Sequence, residues 1–99
     1  MTLSDIIEDL HAVELRLLDY EKRYGLHSED FYALYSQGLL DDGELEETID
    51  FTRWAGLYEI KQEREEMFRE LSRAFVRDLR AKYPENRIRL TPNPDLVTV

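Results

Sequence analysis

Glu8 and His11 stand in a Glu-x-x-His arrangement, the spacing that supplies one arm of a carboxylate-bridged di-iron site in helical bundles. Such a site needs carboxylates converging from other helices, and the other histidine, His27, falls in a predicted loop. At roughly 100° per residue, Glu8 and His11 lie about 200° and about 140° away from the apolar seam of their helix. The expectation is a surface acid beside an interface histidine, with no metal bound. Asp41, Asp42, Glu44, Glu46, Glu47 and Asp50 form a denser acidic group. Hard cations take carboxylate oxygens, but the group lacks the ligand spacing of an EF-hand loop. It reads as an acidic helix start stabilised by the helix dipole, with docking of a basic partner as its functional use. Arg69, Arg73, Arg77 and Arg80 fall on one helix face, opposite Phe68, Leu71, Phe75 and Leu79. A basic stripe can track phosphates or be a solvated face braced by Glu65–Arg69, Glu66–Arg69 and Glu70–Arg73 pairs at helical spacing. The chain has no cysteine, so disulfides, thiolate ligands and a cysteine nucleophile are excluded. It has no Gly-rich phosphate loop, and its serines lack a His/Asp arrangement. These readings predict a non-catalytic chain with no cofactor.

Charge narrows the partners. The net charge is −9 over 99 residues, which disfavours general nucleic-acid binding, since phosphate contacts need clustered cations. Residues 1–50 hold 3 Lys/Arg and 14 Asp/Glu, a net of −11, whereas residues 51–99 hold 10 and 8, a net of +2. Such asymmetry can steer a partner or orient a dimer. No apolar run approaches the roughly 20 residues of a membrane span. Met1-Thr2-Leu3-Ser4-Asp5 lacks the basic start and apolar core of a signal peptide. A cytoplasmic protein that contacts no membrane is expected.

The elements that position these groups are helices. Leu3, Ile6, Leu10, Val13, Leu17, Tyr20 and Tyr24 are spaced 3, 4, 3, 4, 3 and 4, the a/d spacing of a coiled-coil stripe. The pattern predicts a first helix over residues 4–24, with Ser4 as N-cap and Gly25 as left-handed C-cap. Ile7, Leu15 and Leu18 form a second apolar flank, and two stripes suggest two neighbours, one within the chain and one from a partner. Ser28-Glu29-Asp30-Phe31 predicts a short helix capped by Ser28, with Phe31, Leu34 and Tyr35 on its buried side and Gly38 at its end. A third helix begins near Glu44 and meets no proline until Pro84. Its two apolar groups are separated by six polar residues, Lys61 to Glu66. At about 40 residues it would be roughly twice as long as the first. Either it breaks near 61–66, or its C-terminal half projects.

A projecting half would expose Met67, Phe68, Leu71, Phe75 and Leu79. After Pro84, Asn86 to Leu90 alternates polar and apolar as an extended segment does, and the tail stays apolar at Leu96, Val97 and Val99. The expected fold is all-α: a hairpin of two long helices with a short helix between them, forming a helical domain over 1–83, and an extended tail over 84–99. The chain is expected to form a homodimer. The expected partner or oligomer interface comprises Met67, Phe68, Leu71, Phe75, Leu79, Ile88 and Leu90, with Ile7 and Leu18 on the first helix. Arg69, Arg73, Arg77 and Arg80 would supply steering and specificity.

Tyr24-Gly25, Ser28-Glu29-Asp30-Phe31-Tyr32, Gly38-Leu39, Asp50-Phe51, Trp54-Ala55 and Leu57-Tyr58-Glu59 resemble a group of short, acidic, helical bacterial proteins. In that group a helix ending in Tyr-Gly precedes a Ser-Glu-Glu-Phe-like helix start, a glycine turn and an Asp-Phe-x-x-Trp-like stretch. Those proteins look like antitoxins, the neutralising partners of toxin–antitoxin modules. The resemblance spans about residues 13–60, while the longer C-terminal helix and the proline-containing tail depart from it. It implies a chain that binds and occludes a toxin-like protein. The alternatives are a self-associating structural or adaptor protein and, more remotely, a carboxylate metal-binding bundle.

Overall fold

The structure, a computed structural model, describes residues 1–85 and 87–93. Helix α1 spans Leu3–Tyr24, α2 spans Ser28–Ser36 and α3 spans Leu45–Lys82. No strand occurs among the described residues. The predicted Leu96, Val97 and Val99 lie outside them.

Helix α1 forms where the seam predicts it, but Thr2 rather than Ser4 caps it. The Thr2 hydroxyl accepts the Asp5 N–H at 3.1 Å, and the Asp5 carboxylate accepts the Thr2 N–H at 3.0 Å. This reciprocal capping box satisfies two otherwise orphaned donors. Both bonds hold the Asp5 carboxyl below its ordinary range. At the other end Gly25 takes φ +66° and donates its N–H to the Glu21 carbonyl at 2.8 Å. The seam residues Ile6, Leu10, Val13 and Leu17 are buried. On the second flank Leu15 and Leu18 are 67% and 40% exposed, and Ile7 is half-buried.

Helix α2 also starts differently from the sequence expectation. His27 is its N-cap, with Nδ1 accepting the Glu29 N–H at 3.1 Å. Ser28, predicted in that role, is the first helical residue and is buried. Phe31 is buried and Leu34 half-buried, whereas Tyr35, expected inside, is 38% exposed and stacks against the edge of the core on Phe31.

Helix α3 is continuous over 38 residues, straight through 61–66. A polar run does not break a helix that has neither proline nor an unsatisfied backbone group. Within that run, Arg64 reaches Asp9 of α1, Nε to Oδ2 at 3.4 Å. Pairs along the hairpin fix an antiparallel register: Tyr24 lies on Phe51, Tyr20 stacks on Trp54, and Asp9 meets Arg64. Carried on at this register, Leu3 lies level with about residue 71, so the last three turns of α3 outrun α1 by about 15 Å. The radius of gyration is accordingly 18.4 Å, against about 13 Å for a compact chain of this length.

The core sits at the opposite end, where three helices meet. Val13 and Leu17 of α1, Phe31 of α2 and Trp54, Ala55, Leu57 and Tyr58 of α3 form it, with Tyr20, Tyr24, Leu26, Tyr32, Leu40 and Phe51 packed around. Trp54 is fully buried and its ring lies 3.8 Å from that of Phe31, nearly parallel.

Candidate functional site

Where three helices meet, the polar groups are occupied with holding the fold. The Trp54 indole N–H donates to the Ser28 hydroxyl at 2.9 Å, and the Ser28 hydroxyl and N–H donate to the Glu21 carboxylate at 2.8 and 3.0 Å. Burial opposes the charge on Glu21, but the two Ser28 bonds outweigh it and hold the carboxyl below its ordinary range. Asp50 accepts from the Tyr24 hydroxyl at 2.6 Å and from Arg23 Nη1 at 2.8 Å. Those donors depress the Asp50 carboxyl. The bond to Asp50, with burial, pushes Tyr24 up to about 12. The Tyr24–Glu59 sequence pattern therefore includes the aromatic and hydrogen-bonded core itself. Tyr24, Ser28, Phe31, Asp50 and Trp54 are consumed in packing the chain.

Neither acidic constellation converges. Glu8 is exposed, and His11 pairs with Glu14, Nδ1 to Oε2 at 3.5 Å, rather than with Glu8. Asp41 accepts the Gly43 N–H at 2.7 Å and Glu47 accepts the Glu44 N–H at 2.7 Å. Two acids of the 41–50 group thus tie down the loop and the start of α3. Among the described residues no three His, Asp or Glu side chains are placed to hold a metal ion. Among them too, no helix is long and apolar enough to cross a membrane.

The unassigned surface is the far end of α3. Leu71 and Phe75 are 45% and 53% exposed, while Met67, Phe68 and Leu79 are half-buried. Past the helix, Ile88 and Leu90 are 44% and 72% exposed. Sequence reasoning missed Val76, which is 38% exposed. Its signal was available, since it lies about 80° from Phe68 on the helix and joins the apolar stripe to the arginines. Arg69, Arg73, Arg77 and Arg80 are all exposed. Of the three predicted ion pairs, only Glu66–Arg69 forms, at 2.8 Å. Arg73, Arg77 and Arg80 make no ion pair among the described residues. They line a shallow hollow with Ser72 and Val76. An apolar stripe with guanidinium groups beyond its Val76 edge can bury area against a partner and select an acidic one.

A second feature adjoins it. Below α2 the hairpin is only two helices thick, and Leu10, Glu65, Phe68, Arg69 and Ser72 line an open hollow. A polar groove running from His27 and Glu29 at the start of α2 along Tyr58, Lys61 and Gln62 shares Glu65 and Arg69 with it. The two hollows meet at Glu65 and Arg69. No protein-family model, no curated protein and no solved structure matches the chain.

Proposed function

We propose that this chain is a non-catalytic protein-interaction module, antitoxin-like in its mode of action. It self-associates and occludes a cytoplasmic protein partner, and its contact face is the distal part of α3 with the segment that follows. The observation that carries this reading is the overhang. The core is complete at one end, yet α3 continues with Leu71, Phe75 and Val76 exposed, and Ile88 and Leu90 follow. Isolated helical turns are marginal in water. Contiguous apolar surface rimmed by charge marks an interaction site.

Charge supports a protein rather than a nucleic acid as the occupant. Residues 69–93 carry seven Lys/Arg and three Asp/Glu within a chain of net charge −9. That local excess suits an acidic protein surface, while the acidic remainder repels a polyanion. The self-associating structural or adaptor reading shares this face and differs only in lacking a foreign partner.

The test compares the full chain with a chain ending at Tyr83, each used as bait in the cell that makes it. One protein retained stoichiometrically by the full chain and lost on truncation supports the reading. So does growth arrest when that protein is expressed alone, relieved by co-expression of the full chain. Failure of the full chain to retain any stoichiometric partner overturns occlusion and leaves self-association as the function.

A further inference from the structure

Ser72 lines both the hollow at Leu10 and Phe68 and the shallow hollow at Arg73, Val76, Arg77 and Arg80. The two therefore adjoin along α3, and from Glu65 to Arg80 they span about 22 Å of helix. Taking Phe68 as reference, Leu79, Ser72, Val76, Arg69, Arg80 and Arg73 lie at about 20°, 40°, 80°, 100°, 120° and 140° around the axis. This face has an apolar edge at Phe68 and Leu79, Ser72 and Val76 along its middle, and guanidinium groups on its other edge. Leu71 and Phe75 lie beyond Phe68, outside it.

The spacing suits a helix. Glu65, Arg69, Ser72, Val76 and Leu79 recur at intervals of 4, 3, 4 and 3 residues, the seam on which a second helix packs. Strand addition needs an exposed strand edge, and no strand occurs among the described residues.

The charge suits an acidic one. Arg69 and Arg73, and Arg73 and Arg77, stand four residues apart, and Arg77 and Arg80 three apart. Like charges at these spacings destabilise a helix. Arg69 is answered by Glu66 at 2.8 Å, whereas Arg73, Arg77 and Arg80 make no ion pair among the described residues. The helix C-terminus favours Arg80 in the last turn, but Arg73 and Arg77 stand further in. Glu70 and Asp78, the other charges of this stretch, lie at about 200° and 280°, away from the face. A bare anion would satisfy the guanidinium row and leave Val76 and Leu79 uncovered. An occupant with both an apolar stripe and carboxylates answers both edges.

We infer that this face of α3 takes an acidic amphipathic helix of another protein, about four turns long. Its apolar stripe packs on Phe68, Ser72, Val76 and Leu79, and its carboxylates meet Arg69, Arg73 and Arg80. The inference rests on the reading of distal α3 as the contact face and states the chemistry of its foreign partner.

Three fluorescein-labelled peptides of about 16 residues, about four turns when helical, serve as probes. The first places Leu along one helix face and Glu on the rest. The second has Lys in place of Glu, and the third scrambles the first so that no apolar face forms. Anisotropy titration with the full chain should show saturable binding of the first, at least about tenfold tighter than either of the others. Arg73→Glu with Arg80→Glu should weaken the acidic helix at least about tenfold and let the lysine helix bind in its place. Both residues lie outside the core, so Trp54 emission and far-ultraviolet circular dichroism should stay unchanged in that variant. Equal affinity for the acidic and lysine helices, or for the acidic and scrambled peptides, overturns the inference. So does an acidic helix that binds the doubly substituted chain as tightly as the native one. If no peptide binds while the native chain retains a foreign protein that the chain ending at Tyr83 loses, the acidic-helix partner falls and the contact face stands. If the acidic helix binds as expected and no foreign protein is retained, the site stands and occlusion falls.

Discussion

The Trp54 indole N–H donates to the Ser28 hydroxyl at 2.9 Å across the centre of the core, and both residues are buried. The same hydroxyl donates to Glu21 at 2.8 Å, so one serine joins all three helices. Ser28→Ala leaves the indole donor without its partner, while the Glu21 oxygen keeps the backbone N–H of residue 28 at 3.0 Å. An unsatisfied buried group costs about 1–3 kcal/mol. Urea denaturation followed by Trp54 fluorescence should show a loss of that size. A loss below about 0.5 kcal/mol would mean that water replaces the hydroxyl.

Asp50 and Tyr24 make stability depend on pH at both extremes. Asp50 is depressed by its bonds from Tyr24 and Arg23, so its contribution is complete above its ordinary value and is lost as pH falls through the depressed one. Tyr24 is raised from 10.0 to about 12. Its contribution is complete below pH 10 and is lost as pH rises from about 10 to about 12, where the unfolded chain ionises first. Melting temperature should therefore fall below about pH 4 and again above about pH 10. Asp50→Asn should remove much of the alkaline fall, because it removes the largest cause of the Tyr24 shift. An unchanged alkaline limb in that variant would contradict the assignment.

The seam makes a sharper test of packing. Leu17 is 2% exposed and Leu15 67%. Leu17→Ala should cost about 2–5 kcal/mol by removing core contacts and leaving a cavity, while Leu15→Ala should cost under about 0.5 kcal/mol. Equal losses at both positions would mean that the second flank is covered in solution. That outcome would relocate the oligomer interface to α1.

The seam was legible because its spacing states which residues share a face, and burial follows from the face. Caps were legible only in part. Thr2-x-x-Asp5 is a visible capping-box spacing, but Ser4 beside acids offered a competing start. Ser28 followed by Glu29 and Asp30 has the composition of an N-cap, yet its hydroxyl bonds to Trp54, 26 residues away. Local pattern holds no information about such a partner. The continuity of α3 through 61–66 follows from the lack of proline there, whereas the contact of Arg64 with Asp9, 55 residues away, is equally invisible locally. The exposed stripe at Leu71 and Phe75 could be inferred from helix lengths. The hollow between Leu10 and Phe68 could not, because it arises where α2 stops covering the hairpin.

The overhang itself gives the last prediction. Trp54 sits where three helices meet, whereas residues 73–82 run past the end of α1 and make no contact with α2. A helix held at one end and unsupported at the other frays from the free end, because each added residue gains one backbone bond and loses conformational entropy of similar size. Hydrogen exchange along α3 should therefore report what covers the distal turns. In the full chain at high micromolar concentration, amides over 73–82 should be protected as well as the dimer is stable, and dilution should lower their protection without changing that over 51–60. In Phe75→Glu, protection over 73–82 should fall to within about tenfold of an unstructured chain at every concentration, while residues 51–60 keep the protection of global unfolding. Uniform protection along α3 in that variant would show that the distal helix is stable by itself. The exposed leucine, phenylalanine and valine would then need no partner, and the functional reading built on them would lose its support.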